Sequence, residues 1–179
     1  MKNYSEHRKK WKNCERCDLC QTRKHVVLAR GTVPCDVLFA GEAPGQSEDV
    51  LGRPFVGPAG KLLDRLIART LDGQYDYCLT NVVACIPIDA EAGGKAGEPP
   101  KASIKACAPR LQEMIELAQP SLIVRVGKLA TKHVITSIPT VDITHPAAIL
   151  RMDVTQQGLA YQRCYVAIED ALEELEEGS

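Results

Sequence analysis

The stretch "DVLFAGEAPGQSEDVLGRPFVGPAGKLLDRLIART", residues 36–70, decides how the rest of the chain is read. It opens on an unbroken apolar run, Val37 to Ala40, of strand length. It closes on a helical pattern that puts Leu62, Leu63, Leu66 and Ile67 on one face. A strand with no polar alternation is buried on both faces, as in a parallel sheet covered by helices. The connection between them, residues 41–60, holds five glycines, three prolines and three acids. A strand, a glycine-rich turn and a helix suggest phosphate binding. Yet the turn has no P-loop lysine, and it carries carboxylates where an anion cradle would avoid them.

Outward from this unit, strand-length apolar runs recur in "YCLTNVVACI", "SLIVRVG" and "TVDIT", with helical patterns between them. The alternation predicts an α/β fold. In "SIKACAPRLQEMIELA" the apolar face is Ile104, Leu111, Ile115 and Leu117, and a last helix over about residues 162–177 packs Val166, Ala167, Ala171 and Leu172. Residues 88–103, rich in Gly and Pro, read as a long surface loop. No repeat is present, and residues 1–179 are expected to form one domain, with the N-terminal cysteine-bearing segment and the acidic C-terminal helix included. Such folds build sites at the carboxyl ends of parallel strands. Three segments fall there: the loop over 41–60, residues 81–87, and "THPAAILR" over 144–151.

A hydrophobic share of 45% with 25% charged residues is ordinary for a globular chain. No apolar run approaches the roughly 18 residues that span a bilayer, and the first residues lack the apolar core of a signal peptide. A cytoplasmic location without membrane contact is expected, as is a monomer. The net charge of −1 argues against indiscriminate coating of nucleic acid. Charge is nonetheless uneven: residues 1–30 hold nine Lys/Arg against three acids, and residues 169–179 hold six acids and no base. Any nucleic-acid contact should therefore be local and should avoid the C-terminal end.

Eight cysteines in a cytoplasmic chain point to metal binding or burial rather than to disulfides. Cys14 and Cys17 have the two-residue spacing that lets two thiolates hold one metal centre, and Cys20 continues the rhythm. Cys85 and Cys107 would complete a set of four from far along the chain. Zinc and an iron–sulfur cluster both suit four cysteines, and spacing does not choose between them. Cys35, Cys78 and Cys164 sit in apolar stretches and read as buried. His7, His25 and His133 read as surface or helix positions, which leaves His145 in its motif.

Taken together, "GEAPGQSEDVLGRPFVGPAGKLLD", "NVVAC", the cysteine order and "THPAAILR" resemble the family-four, iron–sulfur uracil-DNA glycosylases. The resemblance covers nearly the whole chain. It implies a three-layer α/β/α fold around a central four-stranded parallel sheet. It also implies a 4Fe-4S cluster on Cys14, Cys17, Cys85 and Cys107, and hydrolysis of the bond between uracil and deoxyribose in single- or double-stranded DNA, the first step of base excision repair. Ala147 departs from the family's usual serine after His-Pro, and Ile86 departs from its usual arginine after the third cysteine. Only 17 residues separate Gly127 from His145, where the family generally inserts a hairpin.

On this resemblance each group has a role that suits its chemistry. The target base must leave the duplex for a pocket that reads its edge. Phe55 would be the stacking floor, and the Asn81 amide would match O4 and N3–H of uracil, a pairing that cytosine mismatches. Glu42 would orient water or face the developing sugar cation, and a neutral His145 would donate to uracil O2. Backbone N–H groups from Ala43 to Gly45 would approach the base or a phosphate, while the family suggests that Glu48 helps exclude the thymine methyl. Asp49 beside it reads as a cap or part of an exposed acidic pair. Leu150 would fill the vacated stack and Arg151 would hold a phosphate. The alternative is a module that keeps the fold and cluster but binds uracil or DNA without turnover, or becomes covalently trapped on it.

Overall fold

A computed structural model describes residues 3–89 and 94–178. The chain runs α1 (Tyr4–Trp11), a short 3-10 turn (Asp18–Gln21), β1 (Ala29–Gly31), β2 (Val37–Gly41), α2 (Gln46–Leu51), α3 (Pro58–Leu71) and β3 (Tyr77–Asn81). It continues through β4 (Ile88–Asp89), β5 (Lys95–Ala96), α4 (Lys101–Ala118), β6 (Leu122–Val126), α5 (Lys128–His133), β7 (Thr140–Ile143), α6 (Pro146–Ile149) and α7 (Val154–Glu177). The main sheet has the order β1-β3-β2-β6-β7.

The four anticipated strands, β2, β3, β6 and β7, lie parallel in this sheet. A fifth, β1, adds to them antiparallel to β3 and turns the expected parallel sheet into a mixed one. Side-chain alternation splits the buried residues of β2 between two layers. Val37 and Phe39 pack with Leu63, Leu66 and Ile67 of α3 and Ile168 of α7. Leu38 and Ala40 pack on the other face with Leu111 and Met114 of α4 and Ala130 of α5. Both faces are covered, which is why the β2 sequence shows no polar period.

Local signals explain the helices that flank the site. Pro58 stands at the start of α3, where its missing N–H leaves no bond unmade, and Asp72 ends that helix in the left-handed region at φ 43°. Asp153 caps α7 by accepting from the Gln156 N–H.

Three expectations need correction. The last helix begins at Val154, not near 162, and buries Ala160, Cys164, Ile168 and Leu172 at four-residue spacing. Val166, expected inside, is 43% exposed because it lies off that face. The segment 88–103 is not one loop: Ile88 pairs with Ala96 and Asp89 with Lys95, and α4 starts at Lys101. Positions 90–93 of that segment lie outside the described residues. Finally, Leu117 is only half-buried, and Met114 and Ala118 complete the inner face of α4.

Candidate active site and cysteine cavity

Strand β2 ends at Gly41, and the loop beyond it is shaped by close approaches. A Cβ on Gly41 would lie 2.4 Å from Phe55 Cζ and 2.5 Å from Asn81 Oδ1, so only glycine lets both groups lean over the strand end. Phe55 itself sits at φ 55°, a left-handed conformation that costs a non-glycine residue about 1–3 kcal/mol. The surroundings hold it there. Arg30 of β1 donates from Nε to the Pro54 carbonyl and from Nη2 to the Phe55 carbonyl, both at 3.1 Å, and Nη2 also pairs with Asp64 at 2.7 Å. Gly60 leaves room for that carbonyl, since a Cβ there would stand 2.0 Å from Phe55 O.

Glu48 closes the same loop on itself. Its Oε1 accepts from the Val56 and Gly57 N–H groups at 2.8 Å each, and its Oε2 accepts from the Gly45 N–H at 3.1 Å. These bonds give Glu48 a structural task that the sequence did not disclose. Its neighbour Asp49 is buried rather than part of an exposed acidic pair, and accepts from the N–H groups of Lys24 and His25. His7, read as a surface or helix position, lies in α1, where it is buried and bonds Glu113 through Nδ1 at 3.0 Å.

The loop, the end of β3 and the segment after β7 enclose a cavity of about 330 Å³. Glu42, Ala43, Gly45, Glu48, Phe55, Asn81, His145 and Arg151 all line it, so eight positions chosen from the sequence meet in one place. Leu150 does not line the cavity; it is 39% exposed beside it. Ala147, the departure from serine after His-Pro, lines it too, and Ala96 of β5 with Gly97 after it adds wall that sequence reasoning missed. Asn81 is 2% exposed, and its amide makes no hydrogen bond among the described residues. A buried amide held open in this way can pair with a ligand that offers both a donor and an acceptor.

His145 is oriented by its own helix start. Its Nδ1 accepts from the Ala147 N–H at 3.2 Å, which leaves the ring proton on Nε2. Gly127, at φ 89°, permits the approach, because a Cβ there would lie 2.9 Å from His145 Cβ. Burial, and then the Arg151 cation, lower the imidazole pKa, so the ring is neutral at physiological pH. Its plane lies 31° from that of Phe55 at a centroid distance of 6.4 Å. Burial and the nearby charge of Glu98 push the Glu42 pKa up.

Behind β3 lies a second cavity, walled by Cys14, Cys17, Cys85 and Cys107 together with Trp11 and Arg110. The thiols come from the N-terminal segment, the stretch after β3, and α4. Burial raises the Cys85 pKa to about 12, and the other three thiols add to the rise, although Arg23 opposes it. Among the described residues no three His, Cys, Asp or Glu side chains converge as they would on a single ion. The four cysteines are nonetheless walls of the same cavity. Nε of Arg110, buried at its edge, has no hydrogen-bond partner. Four thiols and an orphaned cationic donor suit a sulfur-bound anionic group. Cys35, Cys78 and Cys164 are buried elsewhere, as expected.

No helix among the described residues is long and apolar enough to cross a membrane. The chain is 38% identical over 127 residues to a type-4 uracil-DNA glycosylase of Sulfurisphaera tokodaii, a match covering 70% of this chain and 55% of the relative. For the type-4 uracil-DNA glycosylase of Saccharolobus solfataricus the identity is 38% over 123 residues, covering 68% and 54%. For that of Thermotoga maritima it is 36% over 119 residues, covering 66% and 59%. The matches span somewhat more than half the length of these curated relatives. Residues 29–169, which carry the sheet and every wall of the first cavity, match the model of the uracil DNA glycosylase superfamily, and the chain belongs to that superfamily.

Proposed function

We propose that this chain is a uracil-DNA glycosylase of the type-4 kind, which hydrolyses the N-glycosidic bond of uracil in DNA and leaves an abasic site. The observation that carries the reading is the open Asn81 amide in a cavity that also holds Phe55, Glu42 and the Nε2–H tautomer of His145. An extruded uracil stacks on Phe55 and pairs its O4 and N3–H with Asn81. As the bond between C1′ and N1 breaks, negative charge grows on the base and positive charge on the sugar. His145 donates from Nε2 to O2 without giving up its proton, and the departing anion takes a proton from solvent. Glu42 faces the sugar cation and orients the water whose oxygen bonds C1′ as its proton passes to solvent. Arg151 at the cavity mouth holds a phosphate, and exposed Leu150 fills the gap left in the stack. Glu48 acts by fixing the loop that shapes the pocket.

The cofactor in this reading is a 4Fe-4S cluster on Cys14, Cys17, Cys85 and Cys107. Four cysteines lining one cavity supply the thiolate set, and the resemblance to iron–sulfur uracil-DNA glycosylases favours a cluster over a zinc ion. Bound there, the cluster supplies iron–thiolate cross-links between three distant segments. The chain is further proposed to act as a single monomeric domain.

Incubation with labelled single- and double-stranded DNA carrying one uracil, followed by alkali, tests the activity. Strand scission at the uracil is expected. Its absence in an iron-loaded preparation sinks the enzyme reading, and a protein–DNA band that survives denaturant replaces it with a trapped module. Glu42→Ala, Asn81→Ala and His145→Ala should slow scission while absorption at roughly 400 nm persists, whereas Cys85→Ala should abolish that absorption.

A further inference from the structure

Arg110 is the least compensated charge in the described interior. It lies on α4 and is 1% exposed. Nη1 donates to Thr80 Oγ1 and Nη2 to the Val82 carbonyl, each at 2.9 Å, and Nη2 also donates to the carbonyl of Asn81. All three acceptors are neutral. Among the described residues no carboxylate lies within ion-pair distance of it, and Glu113, one turn along the helix, is taken by His7 and Lys10. Its Nε–H is buried with no acceptor at all. A guanidinium taken out of water without a counter-charge is strongly unfavourable, so this interior is arranged for an anion. The cavity that Arg110 lines is the one walled by the four cysteines.

We propose that Arg110 is the buried counter-cation of the cysteine-held iron–sulfur cluster and braces Asn81 against it. The proposal rests on the cluster reading above. Four thiolates around an iron–sulfur core make an anion, which supplies the missing charge and an acceptor for the orphaned Nε–H. The same planar fork grips the backbone of Asn81, whose amide faces the other cavity. One side chain thus spans both sites. Lysine could replace the charge but not the fork.

A redox titration of the iron-loaded chain, followed by visible absorption, tests this. A nearby cation favours the reduced, more negative cluster. Arg110→Gln should therefore keep the colour but move the midpoint to more negative potential. Arg16→Gln, which removes an exposed cation of the same cavity, should move it less. Arg110→Lys should hold the wild-type midpoint and raise KM for a uracil-containing oligonucleotide. An iron-loaded Arg110→Gln protein with an unmoved midpoint, or a larger shift in Arg16→Gln, overturns the counter-cation and leaves the cluster reading standing. A wild-type chain purified anaerobically without iron overturns both. Should Arg110→Gln not fold, Arg110→Lys decides alone, and a negative shift in it overturns the proposal.

Discussion

The N–H of Ala147 donates to Nδ1 of His145 at 3.2 Å, and that bond sets which ring nitrogen carries the proton. A ring held as the Nε2–H tautomer is a hydrogen-bond donor that needs no positive charge. Replacing His145 with alanine should lower kcat by about 10²–10³-fold, the usual penalty for losing one donor to a developing anion. Single-turnover kinetics on a uracil-containing oligonucleotide checks it, with little change expected in thermal stability.

The acid limb of the pH–rate profile should belong to Glu42. Its pKa is raised by burial and by Glu98, so the carboxylate form is lost as pH falls through that raised value. His145 has a lowered pKa and stays neutral further into acid. Glu98→Gln removes the like charge and should shift the limb to lower pH, measured as kcat/KM against pH. A limb that stays in place would assign it to another group.

Gly41→Ala separates site from fold. A Cβ there strikes the Phe55 ring at 2.4 Å and Asn81 Oδ1 at 2.5 Å, both of them cavity walls. The variant should fold, because Gly41 is not left-handed, yet should bind uracil-containing DNA at least about tenfold more weakly, a change of roughly 1.4 kcal/mol. Equilibrium binding beside a melting curve distinguishes the two effects.

Glu48→Ala leaves the N–H groups of Gly45, Val56 and Gly57 without their carboxylate. Stability should fall by about 2–4 kcal/mol, since hydrogen bonds to a charged acceptor are the stronger kind. Glu48→Gln, which retains one carbonyl acceptor, should lose less. Chemical denaturation of the two variants gives the comparison.

The legible parts of the fold were those with a local pattern. Buried parallel strands such as Val37–Gly41 advertise themselves as unbroken apolar runs, and α3 by its stripe of leucines. The three residues of β1, Ala29–Gly31, carry no such pattern; pairing with β3 recruits them from outside. The start of α7 was hidden because its first turns are polar and Val154 and Leu159 are exposed. In the site, the groups proposed to carry chemistry stand in recognisable motifs. Arg30 and Arg110 do not, since each acts on segments 24 or more residues away and its meaning exists only after folding.

The length of α7 also settles an apparent conflict of charge. Its 24 residues at about 1.5 Å each carry the chain about 36 Å from the Leu150–Arg151 corner to the acidic end at Glu177. Ionic screening at physiological salt acts over about 8 Å. The acidic terminus is therefore several screening lengths from the corner where a phosphate would bind. The helix is a spacer that holds the acidic run of the C-terminal end away from the Arg151 corner.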